Sequence, residues 1–303
     1  MKDNGVTFLS WSAQYFAKYL AKLSGNRYGG MRKLCGPADG VDDKDCRSYV
    51  NRNVFIVGLY HPDNPRWYKI KCKRAVVLLA GSDIEELECL DESSRNNLFS
   101  FLRKKNITFA TESSIIQKSI ENKFGLITEI VYLPSAHEFP AKPLPMPKSF
   151  NIGCYIGDSK YYHRDLIVEI AREMPNVIFH FYSLDGYRAT EKEGLENIRC
   201  YTTLIQDMPK FLSKMSCGLR VTKHDTYSMS AIEYNMAGRW FINNHEMPHC
   251  IKLNHSPSKQ EVVDRINELQ NEDINWIGQS FYRKYHNRKS FIKKLIQLGL
   301  IKK

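Results

Sequence analysis

The stretch CGLRVTKHDTYSMSAIEYNMAGRWFINN, residues 217–244, contains the elements of a parallel α/β fold. Its apolar and helical patterns predict a strand over Gly218–Val221, a helix over Ser230–Ala237 and a second strand over Trp240–Asn243. A strand, a helix and a strand in this order form the crossover that connects parallel strands of one sheet. The stretch therefore predicts a Rossmann-like unit, with a polar loop between its first strand and its helix.

The same alternation extends to both sides of this stretch, over residues 149–280. The predicted elements are the strands Ile152–Ile156, Val177–Tyr182 and Ile198–Tyr201 and the helices Arg164–Glu173, Met208–Met215 and Lys259–Gln270. Open parallel sheets bind ligands beyond the carboxyl ends of their strands. We therefore expect the binding site of this domain in the loops that follow its strands.

A second α/β pattern occupies residues 1–148. Its predicted strands are Val54–Leu59, Ala75–Ala80, Ile107–Ala110 and Glu129–Leu133, its predicted helices are Trp11–Leu23, Ser94–Lys104 and Ser113–Asn122, and residues 24–53 are predicted to be a loop. Five prolines between Pro134 and Pro147 predict a stiff linker. Because 303 residues exceed one usual core, the predicted fold class is α/β, with two Rossmann-like domains that face a cleft.

The formal charge of +11 indicates an anionic partner. Residues 281–303 contain many Lys and Arg residues, no acid and an apolar face, so they predict one basic amphipathic helix. A peripheral contact of this helix with an anionic membrane is a secondary expectation. We do not expect nucleic acid as a partner, because the aromatic residues lie mainly within predicted strands and helices rather than between exposed cations.

Other global features point to an intracellular location. No run of 18 apolar residues occurs, and the first 23 residues mix charged side chains into their apolar positions, unlike a signal peptide. The eight cysteines are scattered without a C-x-x-C pair, which favours reduced thiols over a disulfide or zinc framework. We expect a cytoplasmic protein, with or without peripheral attachment to the membrane.

The polar loop of residues 217–244 concentrates the groups that carry chemistry. Asp225 and Glu233 are separated by seven residues. Between them, Ser228, Met229 and Ser230 present backbone N–H groups at a predicted helix start, which attracts phosphate groups through its dipole and its unsatisfied donors. This combination predicts a site for a ligand that carries a diphosphate.

The spacing of these acids resembles the E-x(7)-E motif of family 4 retaining glycosyltransferases, which have the GT-B fold; the first acid here is Asp. The order of motifs is similar over Asn151–Leu253, including the YIGD turn and NMAGRWFINN. The resemblance implies that Asp225 lies near the donor sugar and that Glu233 accepts hydrogen bonds from the nucleotide ribose. It also implies that the C-terminal segment crosses back to the first domain.

The resemblance further implies cations that stabilise the leaving diphosphate. The turn after the first strand of the second domain offers Lys160 and Arg164, after Gly157 and Asp158, although their spacing departs from the family pattern. Arg220 and Lys223 are alternative phosphate ligands. The nucleotide base is expected against Thr203, Leu204 and Ile205, and the acceptor side near Gly81, Ser82 and Asp83, which could equally form an ordinary turn.

The implied activity is transfer of a hexose from a nucleotide-diphosphate sugar to an unidentified acceptor, with retention, without a metal and without a cofactor. His245-Glu-Met-Pro-His249 matches the H-E-x-x-H zinc motif, but Pro248 opposes the helix that the motif requires. Asp43 and Asp45 match a metal-binding D-x-D, but no apolar strand precedes them. Neither motif predicts a metal site.

Three alternatives remain from the sequence. Ser230-Ala-Ile-Glu233 also fits a capping box, in which Glu233 only satisfies a helix-start donor. The chain could be a basic binding module for nucleic acid or anionic membrane that keeps a GT-B-like scaffold without chemistry. It could also be a sugar-nucleotide enzyme of another kind, such as an epimerase.

Overall fold

The computed structural model describes residues 6–10, 20–22, 27–30, 52–59, 62, 72–156, 161–183, 194–203, 205–223, 225 and 227–301. The chain divides into two compact units. The first unit consists of Met1–Pro134 and His286–Lys303, and the second consists of Ser135–Tyr285. Each unit contains a parallel sheet that is accompanied by helices.

In the first unit, six described strands form a parallel sheet in the order β2-β1-β3-β4-β5-β6. The strands are β1 (Val6–Ser10), β2 (Arg27–Gly30), β3 (Asn53–Val57), β4 (Arg74–Leu79), β5 (Ile107–Thr111) and β6 (Glu129–Ile130). The helices described between them are α1 (Gly81–Glu88), α2 (Glu92–Lys104) and α3 (Ser114–Phe124). β2 lies within residues 24–53, so the loop prediction was wrong there: parallel pairing with β1 outweighs the glycine-rich local sequence.

In the second unit, six described strands form another parallel sheet, in the order β12-β11-β10-β7-β8-β9. The strands are β7 (Asn151–Tyr155), β8 (Ile178–Tyr182), β9 (Ile198–Cys200), β10 (Cys217–Arg220), β11 (Trp240–Asn243) and β12 (Ile251–Lys252). The helices are α4 (Arg164–Glu173), α5 (Met208–Leu212), α6 (Met229–Met236), α7 (Lys259–Leu269) and α8 (Trp276–Tyr285). β7 lies near the centre of the sheet. β8 and β9 are added on one side of it, and β10, β11 and β12 are then added on the other side. The strand order therefore reverses between β7 and β10, and such a switch point opens a crevice at the carboxyl ends.

The central strands are apolar because both faces of each parallel sheet are covered. In β4, the five residues after Arg74 are buried, and in β7 the first four residues are buried. Helix boundaries follow local capping: Asp91 accepts a hydrogen bond from Ser94 N–H at the start of α2, and Gly125, with φ +60°, ends α3. Among the described residues, no helix combines the length and apolar character needed to span a bilayer.

The proline-rich segment before β7 belongs to the second unit rather than to a free linker. The fully buried Arg239 donates from Nη1 to the carbonyl of Leu144 at 2.8 Å, and Leu144 N–H donates to the carbonyl of Ala237 at 3.1 Å. Burial lowers the pKa of Arg239 to about 10. Arg239 thus ties the proline-rich segment to the second unit, although the two are about ninety positions apart in the chain. The second unit therefore begins after residue 134, before the predicted boundary at residue 148.

The C-terminal segment forms two helices, where the sequence predicted one. α8 ends at Tyr285, and α9 (Arg288–Gln297) begins after Asn287, whose side chain accepts a hydrogen bond from Ser290 N–H at 2.9 Å. An N-cap residue has non-helical dihedral angles and thus starts a new helix. α9 packs within the first unit, where Phe291 contacts the rings of Phe8 and Phe55.

α6 approaches the second sheet closely at its centre. Gly153 of β7 and Gly218 of β10 are paired side by side, and the ring of Tyr234 lies over both. A Cβ at position 153 would lie 1.7 Å from Tyr234 Oη, and a Cβ at position 218 would lie 2.4 Å from a ring carbon of Phe241. Glycine is therefore required at both positions for α6 to pack over the switch point.

Gly153→Ala is expected to lower the free energy of unfolding by about 1–3 kcal/mol, because overpacking a core displaces its side chains. Adding Tyr234→Phe removes the colliding oxygen and should restore part of that loss in urea denaturation. Gly125→Ala is the matched control: its Cβ meets no atom within 4 Å, so its cost comes from positive φ alone and Tyr234→Phe should not reduce it. A G153A loss that Y234F leaves unchanged would contradict this packing.

Candidate functional site

Two loops meet at the carboxyl ends of β7 and β10. Residues 161–163, in the connection between β7 and α4, pair with residues 221–223, which follow β10. Tyr162 and Thr222 form an antiparallel bridge, and Lys223 N–H donates to the carbonyl of Tyr161 at 2.8 Å. His163 N–H donates to the carbonyl of Val221 at 3.1 Å. The two loops therefore form one surface at the switch point.

Arg220, the last residue of β10, lies at the centre of this surface. Its Nε is 2.6 Å from Oδ2 of Asp225, and its guanidinium lies over the rings of Tyr155 at 4.8 Å and Tyr162 at 5.3 Å. Only 14% of the Arg220 side chain and 16% of the Asp225 side chain are exposed. Burial disfavours the charged guanidinium, but Asp225, with smaller contributions from the two tyrosines, outweighs it and raises the pKa of Arg220. Arg220 thus remains a fixed cation with a neutralising partner.

Asn244 joins the ends of β10 and β11. Its Oδ1 accepts a hydrogen bond from Thr222 N–H at 3.0 Å, and its Nδ2 donates to the carbonyls of Thr222 and His255, each at 2.7 Å. These three bonds fix the backbone two residues after Arg220. The buried side-chain amide of Asn244, just after β11, thus sets the direction in which the chain leaves β10 toward Asp225.

α6 starts beside the ion pair. Ser228 is its N-cap, and Ser228 Oγ accepts a hydrogen bond from Ala231 N–H at 3.4 Å. The alternative in which Ser230 and Glu233 form a capping box is not observed, because Ser228 is the N-cap and Ser230 is already the second helical residue. The N–H groups of Met229 and Ser230 belong to the first helical turn, where donors have no intrahelical acceptor. This end of α6 suits an anionic group.

Glu233 is a buried carboxyl group one turn into α6. Ser135 Oγ donates a hydrogen bond to Glu233 Oε1 at 3.2 Å, and His137 N–H in turn donates to Ser135 Oγ at 3.0 Å. The residue is 7% exposed. Burial raises the pKa of Glu233 to about 8, although the bond from Ser135 acts in the opposite direction. Glu233 is therefore mainly protonated at neutral pH and is poised to ionise when donors approach.

The predicted cations occupy different places on this edge. Arg164 is the first residue of α4 and directly follows the paired segment 161–163, while Lys223 lies in the opposing segment and is exposed. Arg164, Arg220 and Lys223 are thus brought to the same two loops. Three other predicted residues of the first loop lie outside the described residues: Gly157, Asp158 and Lys160.

The predicted base-binding residues follow β9 at the far side of the edge. Thr203 and Ile205 are described there, and Leu204 lies outside the described residues. β9 is separated from β10 by β7 and β8, which places it three strand spacings away, roughly 14 Å. This separation is comparable to the length of an extended nucleoside diphosphate.

The turn predicted for the acceptor side begins a helix. Gly81 and Ser82 are the first residues of α1, and Asp83 Oδ2 accepts a hydrogen bond from Ala80 N–H at 2.7 Å. Asp83 is completely buried, and burial raises its pKa to about 7. The Asp83 side chain thus closes the start of α1, so these residues begin a helix and do not form the ordinary turn that was the alternative to an acceptor-side role. A carboxyl group buried in this way presents no surface to an acceptor.

The H-E-x-x-H motif does not have the helical geometry of a zinc site. Residues 245–249 contain no helix, and His249 has φ +57°, so its two histidines do not share a helical face. His245 Nε2 lies 3.1 Å from the carbonyl of Thr222, and the His249 ring packs on Phe281. Asp43 and Asp45 lie outside the described residues.

Two cavities of the second unit lie away from the predicted site residues. One, of about 360 Å³, is lined by the first residues of β7 and β8 and by His180, Arg199 and Lys214. The other, of about 470 Å³, is lined by one face of α8 and His249. Because ligands of parallel sheets bind at carboxyl ends, we assign the candidate site to the edge that carries Arg220 and Glu233.

Sequence reasoning missed four residues of the site. Tyr155 and Tyr162 enclose Arg220, Ser135 bonds Glu233, and Asn244 fixes the loop. The YIGD turn and the strand exit at Asn243-Asn244 were local indications for Tyr155 and Asn244. Ser135 lies 98 residues before Glu233 and has no local indication.

No protein-family model and no curated protein matches this sequence. Solved structures do match. The structure of HepE from Anabaena in complex with UDP has a TM-score of 0.66 and 11% identity, and the match covers 96% of this chain and 98% of that one. TarM, from S. aureus, has a TM-score of 0.60 and 14% identity, with 81% of this chain and 54% of that chain covered.

The pneumococcal O-GlcNAc transferase GtfA in complex with UDP and GlcNAc matches with a TM-score of 0.57 and 13% identity, over 84% of this chain and 58% of that one. The chain thus spans little more than half of TarM and GtfA. These neighbours are GT-B glycosyltransferases with two Rossmann-like domains, which confirms the predicted α/β class with one parallel sheet in each of two Rossmann-like domains. Identities this low show the fold alone.

Glu233→Gln is expected to stabilise the protein relative to the wild type as the pH rises. The folded wild type keeps its Glu233 proton up to about pH 8, whereas the unfolded chain loses it above 4.5. Proton binding by Glu233 therefore contributes fully to the free energy of unfolding of the wild type below pH 4.5. This contribution is lost between pH 4.5 and 8, by at most about 1.4 kcal/mol per pH unit, whereas E233Q has no such loss. Urea melts at pH 5, 6, 7 and 8 measure this difference.

The control for this experiment is Glu169→Gln, an exposed residue on α4 of the same unit. Its free energy of unfolding should follow that of the wild type at every pH. Asp83 titrates in the wild type and in both variants, so its contribution cancels. A difference between E233Q and wild type that stays constant from pH 5 to 8 would show that the Glu233 pKa is not raised.

Proposed function

We propose that this chain is a retaining, metal-independent hexosyltransferase that uses a nucleotide-diphosphate sugar. One observation carries the proposal: at the switch point of the second sheet, the Arg220–Asp225 ion pair precedes the start of α6 in the chain, and the buried Glu233 follows one turn into the helix. A cation, a helix start and a carboxyl group in this order match a diphosphate and a ribose. No small-molecule cofactor is proposed beyond the nucleotide sugar itself.

Glu233 would accept hydrogen bonds from the ribose hydroxyl groups. In the free protein its carboxyl group is held by Ser135 alone among the contacts described for it. Two hydroxyl donors would favour the ionised form, because hydrogen bonds to a carboxylate stabilise its charge. Binding would thus release the Glu233 proton. The nucleotide base would extend toward Thr203, Leu204 and Ile205 after β9.

The diphosphate would lie against the N–H groups at the start of α6 and the cations of the two paired loops. Arg220, Arg164 and Lys223 are described there, and Lys160 is a further candidate in the same connection. Asp225 neutralises Arg220 before the ligand arrives. A phosphate oxygen would then share the guanidinium with Asp225, which leaves this carboxylate facing the sugar hydroxyl groups.

The reaction breaks the bond between the anomeric carbon of the sugar and the β-phosphate oxygen. The electron pair of that bond stays on the nucleoside diphosphate, whose developing charge is stabilised by the cations and the helix start. The acceptor heteroatom forms its bond to the anomeric carbon on the same face, so the configuration is retained. Its proton passes to the departing diphosphate, and no covalent enzyme intermediate is needed.

Three further features support this proposal. The fold is shared with glycosyltransferases, and structures of HepE, GtfA and a TarM mutant contain UDP. UDP sugars are therefore the first donors to test. The resemblance to family 4 glycosyltransferases in the Asp225–Glu233 spacing is an independent indication from sequence. We leave the acceptor unidentified, keep Gly81 and Ser82 as candidates for its side of the site, and propose a cytoplasmic location.

Asp225→Asn is expected to lower kcat/KM for the donor more than a hundredfold, because it removes a sugar contact and unpairs Arg220. Unpairing a buried ion also costs roughly 3–5 kcal/mol of stability. Asp225→Glu keeps the charge and should restore the fold and a measurable part of the activity. Turnover is measured as release of nucleoside diphosphate from UDP, GDP and ADP sugars, with chelator present.

Asp273→Asn, an exposed residue before α8, is the matched control and should retain wild-type turnover. The enzyme hypothesis is contradicted if the wild type is folded and its melting temperature is not raised by any nucleotide or nucleotide sugar. If nucleic acid binds in that case, the chain is a binding module. Conversion of the sugar nucleotide into an isomer, without diphosphate release, would identify an epimerase.

The affinity for the nucleotide diphosphate is expected to increase from pH 6 to 8. Below a pKa of about 8, Glu233 must lose its proton to accept the ribose hydroxyl groups. The affinity therefore falls as the pH is lowered, by at most about tenfold per unit. Calorimetric titrations with UDP at pH 6, 7 and 8 test this, with Glu233→Gln as the reference that reports the titration of the phosphate itself. If the affinity for UDP changes with pH in the same way for wild type and E233Q, Glu233 does not bind the ribose.

A further inference from the structure

The net charge of the chain is concentrated in one of its two units. Residues 135–285 contain 18 Lys and Arg and 18 Asp and Glu, so the second unit has no formal net charge. Residues 1–134 and 286–303 contain 26 Lys and Arg and 15 Asp and Glu, and carry the whole excess of +11. The proposed nucleotide-sugar site lies in the neutral unit. It does not account for the excess.

Several of these cations lie where the strands of the first sheet begin. β3, β4 and β5 start at this edge, and backbone hydrogen bonds join the turns that precede them. Lys73 N–H donates to the carbonyl of Arg52 at 2.9 Å, and Ala75 N–H donates to the carbonyl of Asn106 at 3.4 Å. We call the cations of these turns the basic edge: Arg52, Lys73, Arg74, Lys104 and Lys105.

The basic edge is largely open to solvent. Its members other than Arg52, which is half-buried, are exposed. No Asp or Glu occurs at the described positions 52–53, 72–74 and 104–106. The carboxyl ends of the same strands lie at the opposite side of the sheet, so a partner bound at the basic edge leaves the ligand-binding edge of the sheet accessible.

The C-terminal end of α9 adjoins the basic edge. The carbonyl of Leu298, at the end of α9, accepts a hydrogen bond from Arg74 Nη1 at 3.2 Å, and that of Leu300 accepts one from Asn53 Nδ2 at 2.7 Å. The apolar face of α9 is buried in the first unit, while the other face exposes Arg288, Lys289 and Lys293. Because the apolar face already has a protein partner, α9 offers charge to a partner rather than apolar insertion.

We propose that the basic edge and the exposed face of α9 attach the chain to the surface of an anionic lipid bilayer. Clusters of four to eight Lys and Arg residues bind anionic headgroups, and each residue close to the surface strengthens binding about fivefold. Lysine provides point charges without demanding a defined ligand geometry. This matches a fluid array of headgroups. The proposal does not depend on the sugar-transfer reaction.

The same surface lacks a feature that single-stranded nucleic acid requires. Base stacking needs exposed aromatic rings between the cations. Within the described turns of the basic edge no aromatic residue occurs, and in the adjoining α2 the ring of Phe101 is half-buried with the Lys105 ammonium 5.4 Å from its centre. The observations therefore favour lipid headgroups over nucleic acid.

The test measures binding of the full chain to vesicles by sedimentation. Vesicles of phosphatidylcholine alone are compared with vesicles that contain about 30% phosphatidylglycerol, an anionic lipid that gives the surface a negative potential. The patch variant is Lys73→Gln, Lys104→Gln and Lys105→Gln. The matched control removes the same charge from exposed residues of the second unit: Lys142→Gln, Lys148→Gln and Lys210→Gln.

We expect wild type and control to bind anionic vesicles and not neutral ones, and the patch variant to bind about a hundredfold more weakly. Raising salt from 50 to 500 mM should release the wild type, a result that does not depend on how the variant folds. Absence of wild-type binding, equal weakening in both variants, or salt-resistant binding would overturn the proposal. So would preference for a single-stranded RNA that competes the chain off the vesicles.

Discussion

The structure of the candidate site depends on the close approach of α6 to the second sheet. Gly153 and Gly218 are neighbours across β7 and β10, and the ring of Tyr234 occupies the space that side chains would fill there. This contact lies next to the switch point of the strand order. Since Glu233 precedes Tyr234, the packing of the tyrosine also fixes the direction of the carboxyl group. The two glycines of the sheet thus set the position of the Glu233 carboxyl group above it.

Electrostatics in this region follows from burial. Arg220 keeps its charge because Asp225 and two tyrosine rings replace the water that it loses. Glu233 has no cation among its described contacts, and its carboxyl group takes up a proton instead. The two acids therefore differ in their surroundings before a ligand binds. Asp225 is paired with the Arg220 guanidinium, and Glu233 is held neutral next to a hydroxyl group.

The two units differ in charge as well as in sequence. The second unit has equal numbers of acidic and basic side chains, and Arg220 and Asp225 form an ion pair at its carboxyl edge. The first unit carries the excess, and the part of it that the structure describes is exposed where its strands begin and along α9. The two proposals therefore rest on different units: sugar transfer on the second, and attachment to an anionic bilayer on the first.

The sequence by itself determined the α/β class, most strand and helix positions from β3 onward, and the placement of Asp225 and Glu233 after β10. Apolar runs, helical spacing and turn residues are local, so they can be recognised without the tertiary structure. Only the tertiary structure decided which groups meet. Arg220 lies over the ring of Tyr155, which belongs to another strand, and Glu233 accepts a hydrogen bond from Ser135, 98 residues away. Arg239 joins the proline-rich segment to the second unit. Such partners are selected by three-dimensional packing and burial, which no local pattern encodes.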